Sequence, residues 1–155
     1  MKIKMILPVP IPAEALVAFE AQVPASLQRP DLEIDFCSVK NGGKILDSYY
    51  EMALADAFVL NAGLSAESEG YDAVCINSMS DSGLSALRSR LNIPVVGPGQ
   101  ACFLTAAMLG HRFSVVTMWD RWKPLYRKVA LELEMQSRLA SIESIDTRPD
   151  AEELL

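Results

Sequence analysis

Short apolar runs alternate along this chain with longer stretches whose apolar residues recur every three or four positions, the pattern of strands interleaved with helices. Ile3 to Leu7 is the first run, and it stops at Pro8-Val9-Pro10, where missing N–H groups end a central strand. Pro12 to about Gln22 follows as a helix, with proline in the first turn, where it is tolerated. Leu32 to Val39 alternates, with Leu32, Ile34 and Phe36 on one face and Glu33 and Asp35 on the other, which predicts a strand near the sheet edge. Beyond Asn41-Gly42-Gly43, the spacing of Leu46, Tyr49, Tyr50, Ala53, Leu54, Ala57, Phe58 and Leu60 predicts a long amphipathic helix over 46–69, kinked or ended at Gly63.

Ala73-Val74-Cys75-Ile76 is apolar throughout, as in a strand covered on both faces, and is expected at the centre of the sheet. Leu84, Leu87 and Leu91 mark a helix closed by Asn92, and Pro94-Val95-Val96 is a fourth strand before Gly97-Pro98-Gly99. Cys102 to Leu109 is the next helix, with Gly110 as its left-handed C-terminal residue. Phe113 to Thr117 is a fifth strand, Trp122 to Leu139 a helix and Ala140 to Ile145 a sixth strand. This order predicts βαβ units with parallel pairing and right-handed crossovers, hence an α/β fold with one parallel sheet flanked by helices on both faces. Asp150, with Glu153 three residues on and Leu154-Leu155 behind it, reads as the capped start of a further helix cut off in its first turn; a frayed tail is the other reading.

At 155 residues the chain holds one domain, or one and a fraction. Fourteen Lys and Arg against twenty Asp and Glu give a net charge of −6, with no basic face, so no nucleic-acid partner is expected. No apolar run is long enough for a membrane span, and the opening run, soon interrupted by Pro8, is too short to read as a signal peptide, so neither is expected. The three cysteines, Cys37, Cys75 and Cys102, are too scattered for a disulfide framework or a CxxC metal site, which points to a reduced, cytoplasmic protein. The lone His111 lacks the companions of a familiar metal set, and neither GxGxxG nor GxxxxGK[ST] is present, so neither a metal nor a nucleotide cofactor is expected.

Ligands of a parallel sheet bind at the carboxyl ends of its strands. Four such loops are available: Pro8 to Pro10, Asn77 to Gly83, Gly97 to Gln100 and Thr117 to Asp120. The second is the most informative, because its small hydroxyl residues and backbone N–H groups open a helix and could hold a carboxylate or other small anion. The alternative is ordinary helix capping by Asp81 or Ser82. Cys75, inside the apolar strand, reads as an inert buried thiol, whereas Cys102 is expected in the first turn of a helix on the ligand side, where a thiol's pKa falls.

Gly70-Tyr71-Asp72-Ala73, Asp81-Ser82-Gly83-Leu84, Ile93-Pro94-Val95-Val96-Gly97 and the run from Ala106 to Thr117, in that order and spacing, closely resemble the aspartate/glutamate/hydantoin racemase superfamily, in particular its hydantoin and allantoin racemase branch. The resemblance implies two similar α/β lobes facing across a cleft, here a first lobe over 1–115 and the beginning of a second, incomplete one over 116–155. It implies cofactor-independent proton transfer at a carbon beside a carboxylate or carbonyl, by two thiols, one from each lobe. The first thiol's position is held here by Ser78, expected to act as a hydrogen-bond donor, with Pro8, Val9, Met79, Asp81, Gln100 and Thr117 around a small carboxylate or hydantoin-like ligand. Two alternatives remain open: a non-catalytic carboxylate-binding protein, or a relative of the decarboxylases that keep one thiol. An incomplete lobe is further expected to associate with another copy of itself as a homo-oligomer.

Overall fold

In the computed structural model the described residues are 1–150, so the expected capping partner of Asp150, Glu153, lies outside them. The elements run β1 (Lys2–Leu7), α1 (Ala13–Glu20), β2 (Glu33–Ser38), α2 (Tyr49–Gly63), β3 (Ala73–Ile76), α3 (Leu84–Arg88), β4 (Val95–Val96), α4 (Pro98–Leu109), β5 (Phe113–Thr117), α5 (Lys123–Glu132) and β6 (Leu139–Ser144). The first four strands form a sheet in the order β2-β1-β3-β4, while β5 and β6 pair with each other in a second sheet. Every pairing is parallel, as the alternation of strands and helices predicts. The apolar β3 is interior and the alternating β2 is an edge, each where its pattern puts it.

One core lies between the first sheet and the helices α2 and α3, where Ile6, Val74, Ile76 and Val95 meet Val59, Leu84 and Leu87. A second joins Phe103 of α4 to Val129 and Ala130 of α5, with the Phe103 and Phe113 rings edge to face at 4.9 Å. Helix α4 therefore leaves the sheet that precedes it and packs with the one that follows.

Several boundaries differ from the periodicity for physical reasons. Helix α2 starts later than Leu46 because the Ser48 hydroxyl accepts the Glu51 N–H as its N-cap. It ends at Gly63, where a Cβ would sit 2.7 Å from Leu87, so the glycine allows close approach to the core. Helix α4 begins at Pro98, four residues ahead of Cys102, because proline presets the first helical φ. Gly110 is extended at φ −157°, correcting the expected left-handed cap. Arg138 serves instead: its Nη2 donates to the carbonyls of Ala107 and Gly110 and its Nε to that of His111. A cation at a helix C-terminus suits the free carbonyls and the dipole.

Three ion pairs engage Lys2 and Lys4 of β1. Lys4 Nζ lies 2.6 Å from Glu69, and Lys2 reaches both Glu33 and Asp35. The Lys4 hydrogen bond holds Glu69 below its ordinary pKa, and the Lys2 hydrogen bond does the same for Asp35. A depressed carboxyl stabilises the fold above its unfolded pKa and loses that contribution as pH falls through the folded value. The urea midpoint should therefore drop as pH is lowered from 6 to 3. In Glu69→Gln the drop should be smaller, by about 1 kcal/mol or less, because Glu69 is largely exposed. An acid limb as steep as that of the unaltered protein would contradict this assignment.

Candidate functional site

A cleft of about 290 Å³ opens at the carboxyl ends of β1 and β3. Leu7, Pro8 and Val9 line it from β1, Asn77 to Ser80 from β3, Phe19 from α1 and Lys44 to Leu46 from the loop before α2. The opposite wall, Trp122, Leu125 and Tyr126, comes from the segment between β5 and β6, so the two sheets share the cleft. Most of the lining is apolar, with hydroxyls, the Asn77 amide and the Lys44 ammonium as polar exceptions. Among the described residues, Trp122 Nε1 is one of two buried side-chain polar atoms without a partner. A donor left so costs about 1–3 kcal/mol until something accepts from it.

The loop after β3 carries a string of hydroxyls. Ser78 Oγ lies 2.7 Å from Ser80 Oγ, which lies 2.8 Å from Ser82 Oγ, and the Ser80 N–H donates to Ser78 Oγ at 3.3 Å. Ser80 and Ser82 are buried, while Ser78 is half-buried on the cleft wall. Behind the string, Lys128 of α5 donates to the Ser80 carbonyl at 3.1 Å and pairs with Glu132 at 3.2 Å.

Asp81 fixes this loop to the next helix. It adopts the left-handed conformation, φ 52°, and is 2 % exposed. Its carboxylate accepts the N–H groups of Gly99 at 2.8 Å and Gln100 at 2.7 Å, two free donors in the first turn of α4. Burial pushes the Asp81 carboxyl above its ordinary pKa, and the two backbone hydrogen bonds oppose that rise. A Cβ on Gly99 would lie 2.5 Å from the Met79 carbonyl, so only glycine allows the clamp to close. The expected local cap is thereby corrected: Gly83, not Asp81 or Ser82, precedes α3, and Asp81 caps a helix 18 residues away. Asp56 supports the same loop by accepting the Gly83 N–H at 2.8 Å, and burial raises its pKa.

Of the residues singled out in the sequence, Pro8, Val9, Ser78 and Met79 meet at the cleft. Asp81, Gln100 and Thr117 are not in its lining. Asp81 lies behind the loop, Gln100 turns its Oε1 to Arg88, and the buried Thr117 donates to the Tyr126 hydroxyl at 3.3 Å. Sequence reasoning missed Phe19, Lys44, Trp122 and Tyr126. The i, i+4 pair Trp122 and Tyr126 at the head of a helix was the available signal for two of them. Cys102, expected in a first turn, lies in the second and is exposed. Cys75 is half-buried in β3, and Cys37 lines a separate hollow of about 530 Å³ beside α2; burial raises the pKa of both thiols. That larger hollow holds the Lys4–Glu69 pair, whose charges satisfy each other. Among the described residues, no group of three or more His, Cys, Asp or Glu side chains is placed to hold a metal ion.

The family model described as Asp/Glu/Hydantoin racemase matches residues 14–154. The chain is 36% identical over 117 residues to the hydantoin racemase of Pseudomonas sp. (strain NS671), a match over 76% of this chain and 47% of that protein. It superposes on the allantoin racemase from Klebsiella pneumoniae with a TM-score of 0.83 at 25% identity, covering 95% of this chain and 59% of the other. For the allantoin racemase from Pseudomonas fluorescens the TM-score is 0.82 at 26% identity, with 96% and 62% covered. The chain thus spans between a third and about half of the length of the curated relatives it matches.

Proposed function

The chain belongs to the Asp/Glu/hydantoin racemase family, and on that premise we propose that its cleft binds a small carbonyl acid, foremost a hydantoin carrying an apolar substituent, for proton transfer at the carbon beside the carbonyl. The carrying observation is Ser78 on the wall of a cleft at the carboxyl ends of two parallel strands, where the resemblance implies that the family's first thiol stands. The apolar lining, Leu7, Val9, Phe19, Ile45 and Leu46, suits the substituent. As the carbon loses its proton, charge develops on the neighbouring oxygen, and donors aimed there lower the barrier. Ser78 Oγ–H, the Asn77 amide and the Lys44 ammonium are donors of the cleft lining. The resemblance implies a thiol on the other face of the ligand to take the proton.

We read the chain as one α/β lobe with the start of a second; its separate four-stranded and two-stranded sheets support two units, with α4 and β5 on the side of the second. Met108, Leu109 and Val116, 80%, 85% and 71% exposed, support association with a second copy. We read the protein as cytoplasmic; no helix among the described residues is long and apolar enough to cross a membrane.

The test is proton NMR in heavy water with a panel of 5-substituted hydantoins and small dicarboxylates. Loss of the hydrogen signal beside the carbonyl is the expected result, and no exchange across the panel counts against the reading. No thiol among the described residues lines the cleft, which favours a second reading, a binding protein for small carboxylates. Ligand-dependent thermal shifts without exchange, unaffected by thiol alkylation, would select it.

A further inference from the structure

The serine string has a direction. Ser82 is 1% exposed, and its hydroxyl has no partner among the described residues other than Ser80 Oγ. A buried hydroxyl carries one proton, and a proton without an acceptor is costly, so Ser82 gives its proton to Ser80. Ser80, having accepted it, gives its own to Ser78 Oγ, which also accepts the Ser80 N–H. Both lone pairs of Ser78 Oγ are then occupied, and its proton is left to point into the cleft. Reversed, the string would leave the Ser82 proton buried and unpaired.

Resting on the proposed reaction, we infer that Ser80 and Ser82 are positioning residues that hold the Ser78 hydroxyl as an obligate donor to a ligand oxygen. With its lone pairs engaged, Ser78 is no base for a carbon-bound proton. It discriminates for ligands that present an acceptor, a carbonyl or carboxylate oxygen, and against those that present N–H or ammonium there. The string also polarises: each hydroxyl that accepts becomes a better donor to the next. Lys128, donating to the Ser80 carbonyl, holds the middle of the string in place.

Two measurements test this. Neutron diffraction from crystals of the deuterium-exchanged protein should place the Ser82 deuteron toward Ser80 Oγ, the Ser80 deuteron toward Ser78 Oγ and the Ser78 deuteron in the cleft. A Ser78 deuteron directed at Ser80 Oγ overturns the inference whether or not the protein exchanges any ligand proton, so its failure is separable from failure of the proposed reaction. In exchange kinetics, Ser82→Ala removes a group one hydroxyl away from any ligand contact. Ser80 Oγ then becomes free to accept from Ser78, and kcat should fall roughly tenfold with an unchanged pH profile. A change in melting temperature alone, with kcat intact, would mean that Ser82 only packs and would sink the positioning role. Ser80→Ala should lose at least as much kcat; should it not fold, Ser82→Ala decides the matter by itself.

Discussion

Replacing Asp81 by alanine is expected to destabilise the protein by about 3–5 kcal/mol, a large share of the ~5–15 kcal/mol that holds a domain of this size together. Two N–H donors of α4, those of Gly99 and Gln100, lose their acceptor together, and the Gly99 bond is fully buried. Each orphaned buried donor costs about 1–3 kcal/mol. The loop carrying Ser78 and Met79 also loses its tie to α4, so ligand binding should weaken along with stability. Urea denaturation gives the first quantity and a ligand titration the second. Asp81→Asn separates charge from geometry: an amide oxygen still accepts from one N–H while its NH₂ opposes the other, so the loss should be intermediate. A loss below about 1 kcal/mol in Asp81→Ala would show that water replaces the carboxylate and that the clamp is dispensable.

That result bears on how far sequence reading reached. Strands were legible because a parallel sheet demands apolar runs, and Ala73 to Ile76 could only be interior. The loops after β1 and β3 were legible because such loops face the ligand side of a parallel sheet, while Ser78 itself was singled out by the family resemblance. Asp81 was visible as a polar loop residue, but its two partners lie 18 and 19 residues on, and local spacing suggests capping of the adjacent helix. Thr117 ends a strand as Ser78 follows one, yet β5 belongs to another sheet, and the Thr117 hydroxyl is spent on Tyr126. The wall made by Trp122 and Tyr126 depends on how that second sheet packs, a tertiary fact with no local signature. Gly110 shows the same limit, since the cap it was expected to supply comes from Arg138, 28 residues later.

Ser78→Cys should raise the rate of hydrogen exchange beside the ligand carbonyl by on the order of 10²-fold, the usual worth of a positioned general base. A serine hydroxyl held as a donor removes no proton from carbon, whereas a thiol with a reference pKa of about 8.5 supplies a few per cent of thiolate at neutral pH. The new sulfur would stand where the Ser80 N–H already donates and within hydrogen-bond reach of the Ser80 hydroxyl, and hydrogen bonds to the anion lower its pKa. The exchange rate should therefore climb with pH and level off below about 8.5. Where the new thiolate is the one base at the ligand, it serves one face of the carbon and deuterium enters with the configuration retained; where the far-face thiol that the resemblance implies also acts, both faces are served and the product racemises. Chiral chromatography of the deuterated product distinguishes the two. An unchanged rate would mean that position 78 does not reach the reacting carbon, and inversion would mean that a second acid on the far face completes the transfer.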